Sequence, residues 1–161
     1  MVKKIIAKQP KPDQIPLSKI ALEQKKAELE RLTSLRKEVM GRLIVAREMG
    51  DLSENGAYTA AKFELGSIGR QLRQIKYILA NAYIPVIKMD DKASFGKTIT
   101  LKNDKNTLTF TLVGQYESDV TENKYSLESP IGQAVIGKKV GDEIIIVSPK
   151  GKTTYILKSI K

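Results

Sequence analysis

The sequence contains no cysteine, no histidine and no tryptophan in its 161 residues. Without cysteine the chain has no disulfides and no thiolate metal ligands, which suits a reducing cytoplasm. Without histidine it lacks the commonest general base and metal ligand, so zinc sites and Ser-His or Cys-His catalysis are excluded. Any metal must be held by carboxylates, which favours a hard ion such as magnesium.

Acidic residues and long apolar runs are also scarce. The chain has 18 Asp and Glu residues against 28 Lys and Arg residues, which gives a net charge of +10. Such an excess favours a polyanionic partner, either a nucleic acid or a large complex that contains one. No apolar run is long enough to span a bilayer, so we predict a cytoplasmic protein without a membrane partner.

The first sixteen residues, "MVKKIIAKQPKPDQIP", differ in composition from the rest. They start like a signal peptide, but prolines interrupt them before an adequate apolar core. Their composition predicts a disordered basic arm over residues 1–16.

Residues 17–82 have the spacing of two amphipathic helices. A plausible N-cap at Ser18 opens the first, whose apolar residues are Leu22, Leu29, Leu32, Leu35, Val39, Leu43 and Ala46. The second has a stricter coiled-coil pattern of Tyr58, Ala61, Leu65, Ile68, Leu72, Ile75, Leu79 and Ala82. A short connection between matching stripes predicts an antiparallel coiled-coil hairpin, with arms roughly 40 to 50 Å long. Since one seam cannot form a globular core, the hairpin must project from a second domain.

The second domain is predicted over residues 95–161, after a linker at 83–94. Alternating patterns at "KTITLK", "TLTFTLVGQ", "EIIIVS" and "TTYILKSI" predict a few antiparallel strands in two hairpins. Ser129 and Pro130 read as the N-cap and first residue of a short helix that Gly137 closes. The whole chain is therefore predicted to be a two-domain α+β protein.

The connection "MGDLSENGAY", residues 49–58, allows two interpretations. Asp51 and Glu54 have the spacing of a capping box that would start the second helix, and Gly50 fits the end of the first. Alternatively, the two carboxylates hold a metal weakly at the end of a long rod, where another macromolecule supplies the remaining ligands. Composition and spacing leave both interpretations open.

Two runs of residues resemble one known family. The run "AREMGDLSENGAYTAAKFELGSI" resembles the tip motif of the bacterial Gre transcript cleavage factors, roughly A-R-E-x-G-D-L-x-E-N-x-E-Y-x-A-A-[RK]. The run "SPIGQAVIGKKVGDEIIIVSPKG" is similar to the C-terminal signature of that family, and both motifs occur in the expected order. The resemblance covers about residues 15 to 161.

The resemblance implies a hairpin at residues 17–82, with an acidic tip at 50–58, and a globular domain of FKBP-like fold. It also implies an elongation factor that binds RNA polymerase through its secondary channel and stimulates cleavage of backtracked nascent RNA. The polymerase is then the enzyme, and the factor helps to hold a second Mg²⁺ ion shared with it. The free protein is expected to be monomeric.

The motif assigns roles residue by residue. Asp51 and Glu54 match the two stimulatory tip acids, which would also bind the magnesium. Asn55 and Tyr58 would shape the tip. Among the residues expected to contact the RNA 3′ end, Arg47 and Lys62 match motif positions, and Arg47 also fits a cation at a helix C-terminus. Arg70 and Arg73 are added because they belong to the basic second arm of the hairpin. Those expected to dock on the polymerase, or to be structural, are Ser129, Pro130 and Ile131.

One departure and several alternatives accompany this resemblance. Ala57, beside Gly56, stands where the pattern has a third acid, which weakens the expected recruitment of metal. The modest basic patch is closer to GreA-type than to GreB-type members. The alternatives are a channel-binding homologue that inhibits the polymerase, a basic coiled-coil module that binds nucleic acid, and a free-standing nuclease. Two exposed carboxylates are too few ligands for the nuclease.

Overall fold

The computed structural model describes residues 14–50, 55–87, 90–148 and 151–161. The chain divides into two compact units. One unit is Ile20–Asn81, and the other combines the residues up to Lys19 with Ala82–Lys161. Each unit has its own core and is described by itself.

The first unit is a helical hairpin of α1 (Lys19–Glu48) and α2 (Gly56–Asn81). Its core is one seam of apolar side chains, in which the buried members are Leu32, Val39, Ala61, Ile68 and Ile75. Partly buried leucines flank the seam on both helices: Leu29, Leu35, Leu43, Leu65, Leu72 and Leu79. The periodicity thus predicted the hairpin and its seam correctly, because residues three and four apart share one helix face.

The second unit is built on a five-stranded sheet. Its chain order is β1 (Ile15–Pro16), β2 (Ala82–Tyr83), β3 (Thr98–Lys102), β4 (Thr107–Val113), β5 (Lys124–Ser126), α3 (Pro130–Val135), β6 (Glu143–Ser148) and β7 (Gly151–Ile160). The sheet has the order β5-β4-β3-β7-β6, and the two predicted hairpins are β3–β4 and β6–β7. A two-domain α+β protein with an N-terminal helical hairpin is therefore confirmed.

The four predicted strands pair antiparallel as expected, but the sheet has a further strand, β5, which runs parallel to β4. A parallel neighbour needs a crossover rather than a tight turn. The chain makes this crossover through two 3₁₀ turns, Gln115–Glu117 and Val120–Glu122. Three residues of β5 are too short a run to give a period-2 signal, so the sequence pattern missed the strand.

The core of the second unit lies on one face of the sheet. Its buried members are Ala93, Ile99, Leu101, Phe110, Leu112, Val135, Ile144, Tyr155 and Leu157. Tyr125 packs edge-to-face on Phe110, with ring centroids 5.2 Å apart, an arrangement that the ring quadrupoles favour. α3 packs over this core through its buried Val135.

Two short strands pair in parallel: β1, which precedes α1 in the chain, and β2, which follows α2. Ile15 pairs with Ala82 and Pro16 with Tyr83, and the N–H of the fully buried Leu17 donates to the Tyr83 carbonyl at 3.0 Å. The composition predicts that Ile15 and Pro16 belong to the disordered arm, and for these two residues the prediction is wrong. They form a strand because their main chain finds partners about 67 residues further along the chain, which no local pattern shows.

Candidate functional site

Asn55 connects the two helix ends at the tip of the hairpin. Its Nδ2 donates to the carbonyl of Ala46 in α1 at 2.6 Å, and its Oδ1 accepts from the N–H of Tyr58 in α2 at 3.0 Å. The Asn55 carbonyl also accepts from the N–H of Thr59 at 3.1 Å. One side chain therefore caps α2 and holds the last turn of α1.

The cap of α2 lies four residues later than the capping box predicted at Asp51. The helix begins at Gly56, and Asn55 satisfies a main-chain donor that the first turn would otherwise leave free. The predicted capping box was therefore wrong in its position. A carboxylate can only accept hydrogen bonds, whereas an amide also donates, so asparagine can reach both helices.

The two predicted catalytic acids, Asp51 and Glu54, lie outside the described residues. Of the predicted tip residues, the structure brings Asn55 and Tyr58 together through the cap. Gly50, which ends the described part of the first arm, has a φ of 108°. This left-handed conformation favours glycine and fits the end of a helix.

The described residues contain no group of three or more His, Cys, Asp or Glu side chains placed to hold an ion. A shallow groove of about 570 Å³ lies between the helices near their connected ends. Its lining is Glu38, Gly41, Arg42, Val45, Ala46, Met49, Ala57, Ala60 and Ala61. Mostly small and apolar, this lining offers few groups for acid–base chemistry.

The predicted RNA-contacting residues are all exposed cations. Arg47 lies in the last turn of α1, where the helix dipole favours positive charge. Lys62, Arg70 and Arg73 lie on α2. The single acidic residue of α2, Glu64, is paired across the hairpin with Arg42 at 3.0 Å. The remaining charge on α2 is therefore positive.

The predicted docking residues surround the start of α3. Ser129 Oγ accepts from the N–H of Gly132 at 3.1 Å and donates to the carbonyl of Ser126 at 2.6 Å. Pro130 is exposed at the first helical position, and Ile131 packs against the core. A Cβ on Gly132 would lie 2.1 Å from the Ser126 carbonyl oxygen. The motif thus has a structural reason of its own, because it builds a tightly capped helix start.

Surface ion pairs in the second unit shift several pKa values. Lys139 Nζ lies 2.8 Å from Asp91 Oδ2, and this hydrogen bond lowers the pKa of Asp91 and raises that of Lys139. Glu122 raises the pKa of Lys124 in the same way. Hydrogen bonds from Thr121 lower the pKa of Asp119. All four groups keep their usual charge at neutral pH, so none is prepared for proton transfer.

These features define a class of protein: a long helical hairpin with a capped connection and a basic second arm, joined to an α+β unit. Within the described residues, no helix is long and apolar enough to cross a membrane. Two family descriptions match the chain: "Transcription elongation factor, N-terminal" over residues 15–84, and "Transcription elongation factor, GreA/GreB, C-term" over residues 88–161. The chain therefore belongs to the GreA/GreB transcription elongation factor family.

Two relatives named as GreA factors agree with this assignment. The chain is 37% identical to the transcription elongation factor GreA of Maridesulfovibrio salexigens over 155 residues, covering 91% of this chain and 94% of the relative. It is 38% identical to GreA of Thermosipho africanus over 154 residues, covering 94% and 99%. Among solved structures, GreA factor homolog 1 of Thermus thermophilus is similar at 27% identity and a TM-score of 0.45, covering 92% and 99%.

Proposed function

We propose that this protein is a transcript cleavage factor that acts on RNA polymerase when the nascent RNA has backtracked. The observation that carries the proposal is the family match over both halves of the chain, residues 15–84 and 88–161. The tip motif with its two acids lies in the chain between the end of α1 and the start of α2, one helix length away from the start of α1. The 30 residues of α1 span roughly 45 Å.

In this proposal Asp51 and Glu54 act inside the secondary channel of the polymerase. They are oxygen donors of the type that magnesium prefers, but two carboxylates are too few to hold the ion alone. They would hold it together with carboxylates of the polymerase. A bound magnesium ion lowers the pKa of a coordinated water and stabilises charge on the phosphate. The polymerase remains the enzyme, and this chain supplies positioned carboxylates.

The other site residues support this task. Asn55 and Tyr58 set where the tip leaves α1 and enters α2. Arg47, Lys62, Arg70 and Arg73 contact the phosphates of the extruded RNA 3′ end. Ser129, Pro130 and Ile131 belong to the surface that docks on the polymerase, with Pro130 as its exposed member. The protein works in the cytoplasm, where its polymerase and nascent RNA are.

Ala57 lowers the expected ability of the tip to recruit magnesium. It is exposed in the first turn of α2, where the motif of the family has a third acid. The substitution Ala57→Glu would restore that acid close to the positive end of the helix dipole, which favours it. We expect Ala57→Glu to increase cleavage at low magnesium concentration.

The test uses a stalled, backtracked elongation complex with labelled RNA and magnesium. The wild-type protein should shorten the RNA, and the double variant Asp51→Asn/Glu54→Gln should not. Glu48→Gln is the matched control, because it removes an exposed acid at the end of α1 that has no assigned role. No cleavage with wild type would refute the proposed function. Unchanged cleavage with the double variant would refute the assigned acids.

The same experiment distinguishes a cleavage factor from the alternative of a homologue that inhibits the polymerase. An inhibitor would bind the polymerase and slow RNA synthesis without shortening the transcript. Retention of both acids at the usual spacing argues against it, since an inhibitor need not keep them.

A further inference from the structure

The face of α2 that points away from the seam carries two exposed aromatic rings. The buried seam residues Ala61, Ile68 and Ile75 are spaced by seven, and Phe63, Arg70 and Tyr77 follow each of them by two positions. Two residues correspond to about 200° around a helix. Phe63, 75% exposed, and Tyr77, 53% exposed, therefore lie on one line opposite the seam, with Arg70 between them.

Cations flank this line of rings. Lys62, Arg73 and Lys76 are exposed beside it, and the single acid of α2, Glu64, is paired with Arg42. We call Lys62, Phe63, Arg70, Arg73, Lys76 and Tyr77 the outer face of α2. The solvent-facing side of a helix normally carries polar residues. Two exposed aromatic rings among the cations of this face therefore need an explanation.

Gly66 brings charge close to the first ring. A Cβ on Gly66 would lie 3.7 Å from a terminal nitrogen of Arg70, so the guanidinium reaches back over the turn that follows Phe63. Because Gly66 has no side chain, no group protrudes from the helix between the Phe63 ring and the Arg70 guanidinium. A planar group could lie on Phe63 there while its charged substituent meets Arg70.

We propose that the outer face of α2 is a binding track for single-stranded RNA, in which Phe63 and Tyr77 stack on bases and the cations meet phosphates. Single-stranded nucleic acids are held by this combination of aromatic platforms and positive charge. The two rings are separated by about 21 Å along the helix, so the track contacts several nucleotides. The proposal rests on the proposed function for its RNA, and it adds two base-contacting residues to the phosphate contacts assigned above.

A protein partner fits this face less well. Protein interfaces also enrich aromatic residues and arginine, but they are depleted of lysine. The outer face of α2 includes two lysines, Lys62 and Lys76. Positive charge without acids complements a phosphate backbone directly. A contact with the polymerase protein is the competing outcome in the test below.

The test measures binding of the full-length protein to a fluorescent 12-nucleotide single-stranded RNA by anisotropy. Phe63→Ala and Tyr77→Ala should each weaken binding about 5- to 10-fold, the lower range for loss of a stacked base at an exposed site. Phe63→Trp should retain binding, and Phe63→Leu should not, because leucine keeps apolar area but has no ring. Ile44→Ala is the matched control, since Ile44 is 51% exposed on α1 and outside the track.

Salt dependence and a second ligand separate stacking from charge. Arg70→Gln/Arg73→Gln should reduce the slope of log K against log salt by about 1.4, as expected for two phosphates on a single strand. Phe63→Ala should leave that slope unchanged. An abasic strand of the same length should bind weakly and respond to the arginine variants only.

Several results would overturn the track. These are no binding of single-stranded RNA, equal binding of the abasic strand, and full binding by Phe63→Leu. If Phe63→Ala and Tyr77→Ala bind RNA normally but bind transcript-free polymerase more weakly, the outer face of α2 is a protein contact.

The two proposals can fail separately, because the binding assay contains no polymerase. If RNA binding depends on the rings but the protein does not stimulate transcript cleavage, only the proposed function is refuted. If the protein stimulates cleavage but Phe63→Ala and Tyr77→Ala bind RNA as well as wild type does, only the proposed RNA-binding track is refuted.

Discussion

Glu117 accepts hydrogen bonds from the main-chain N–H and the hydroxyl of Ser18, a residue 99 positions earlier in the chain. Its Oε1 accepts the Ser18 main-chain N–H at 2.7 Å, and its Oε2 accepts the Ser18 hydroxyl at 2.5 Å. Ser18 directly precedes α1, and Glu117 ends a 3₁₀ turn between β4 and β5. A partly buried carboxylate thus anchors the chain just before the hairpin begins, through two charge-assisted hydrogen bonds.

Removing this carboxylate should destabilise the second unit. We expect Glu117→Ala to lower the free energy of unfolding by roughly 1–3 kcal/mol, because Ser18 loses two partners in a partly buried place. Glu117→Gln, which keeps one acceptor oxygen, should cost less. Urea denaturation followed by circular dichroism measures both. The control is Glu122→Ala, which breaks an exposed pair with Lys124 and should cost less than about 1 kcal/mol; equal losses would contradict the prediction.

Gly114 permits the close approach of the segment that contains β1. A Cβ at this position would lie 2.1 Å from the Pro16 carbonyl oxygen, so Gly114→Ala must push main chain apart. We expect a loss of roughly 1–3 kcal/mol and faster hydrogen exchange at the Leu17 amide, which bonds to Tyr83. Gly41→Ala is the contrasting variant. A Cβ added at Gly41 would have nothing within 4 Å, so Gly41→Ala should stabilise α1 by roughly 0.5–1 kcal/mol.

Asn55 should hold the tip through both of its hydrogen bonds. Asn55→Ala removes the cap of α2 and the bond to Ala46, and we expect a cost of about 1–2 kcal/mol. Asn55→Asp keeps the acceptor but loses the donor, so it should cost less. Hydrogen exchange at the Tyr58 amide reports the cap directly. Asn81→Ala, which removes a single exposed bond to the Tyr77 carbonyl, should leave that amide unchanged; faster exchange there would contradict a local effect.

Lys97 is a buried cation with three oxygen partners. Its Nζ donates to the Asp90 carbonyl at 2.6 Å, to Asp90 Oδ1 at 2.7 Å and to the Lys92 carbonyl at 2.7 Å. Lys97→Met should lower the free energy of unfolding by roughly 2 kcal/mol, because these oxygens lose their shared donor. Lys97→Arg should not restore stability, since its planar fork does not replace a compact ammonium. Thermal unfolding measures both, with the exposed Lys92→Met as the control.

Asp119 should titrate below its ordinary range. The hydroxyl and the main-chain N–H of Thr121 donate to its Oδ1 at 2.6 and 2.8 Å, and these bonds lower its pKa. A lowered pKa in the folded state means that the contribution to stability is complete above the unfolded pKa. It is lost as pH falls through the folded pKa. Thr121→Val should raise the Asp119 pKa towards its ordinary value, which carboxyl chemical shifts would show; no change would refute the cause.

Local patterns predicted the parts of the fold that repeat over many residues. The seam of α2 and the strands β3, β4, β6 and β7 extend over several periods, so their spacing identifies them. The capping-box rule selects Asp51, because Glu54 follows it by three positions, whereas Tyr58 stands at that position after Asn55. The cap of α2 is nevertheless Asn55, which accepts from the Tyr58 N–H and also donates to the Ala46 carbonyl of α1.

The candidate site divides in the same way. The acids Asp51 and Glu54 came from a motif, and their role stays a prediction that the cleavage assay decides. The aromatic line Phe63–Arg70–Tyr77 could have been found from its heptad spacing off the seam, because exposure follows from the side on which the buried residues lie.

The sequence by itself determined the hairpin, the β hairpins, the excess of positive charge and the family, since each is carried by composition or by residues close in the chain. Tertiary structure alone decided the parallel β5, the pairing of Ile15–Pro16 with Ala82–Tyr83, the Glu117 anchor of Ser18 and the Asn55 bridge. Each of these joins main-chain or polar groups that are distant in sequence or belong to different elements. Their partners are selected by the requirement that buried polar groups be satisfied, and only the folded chain brings those partners within reach.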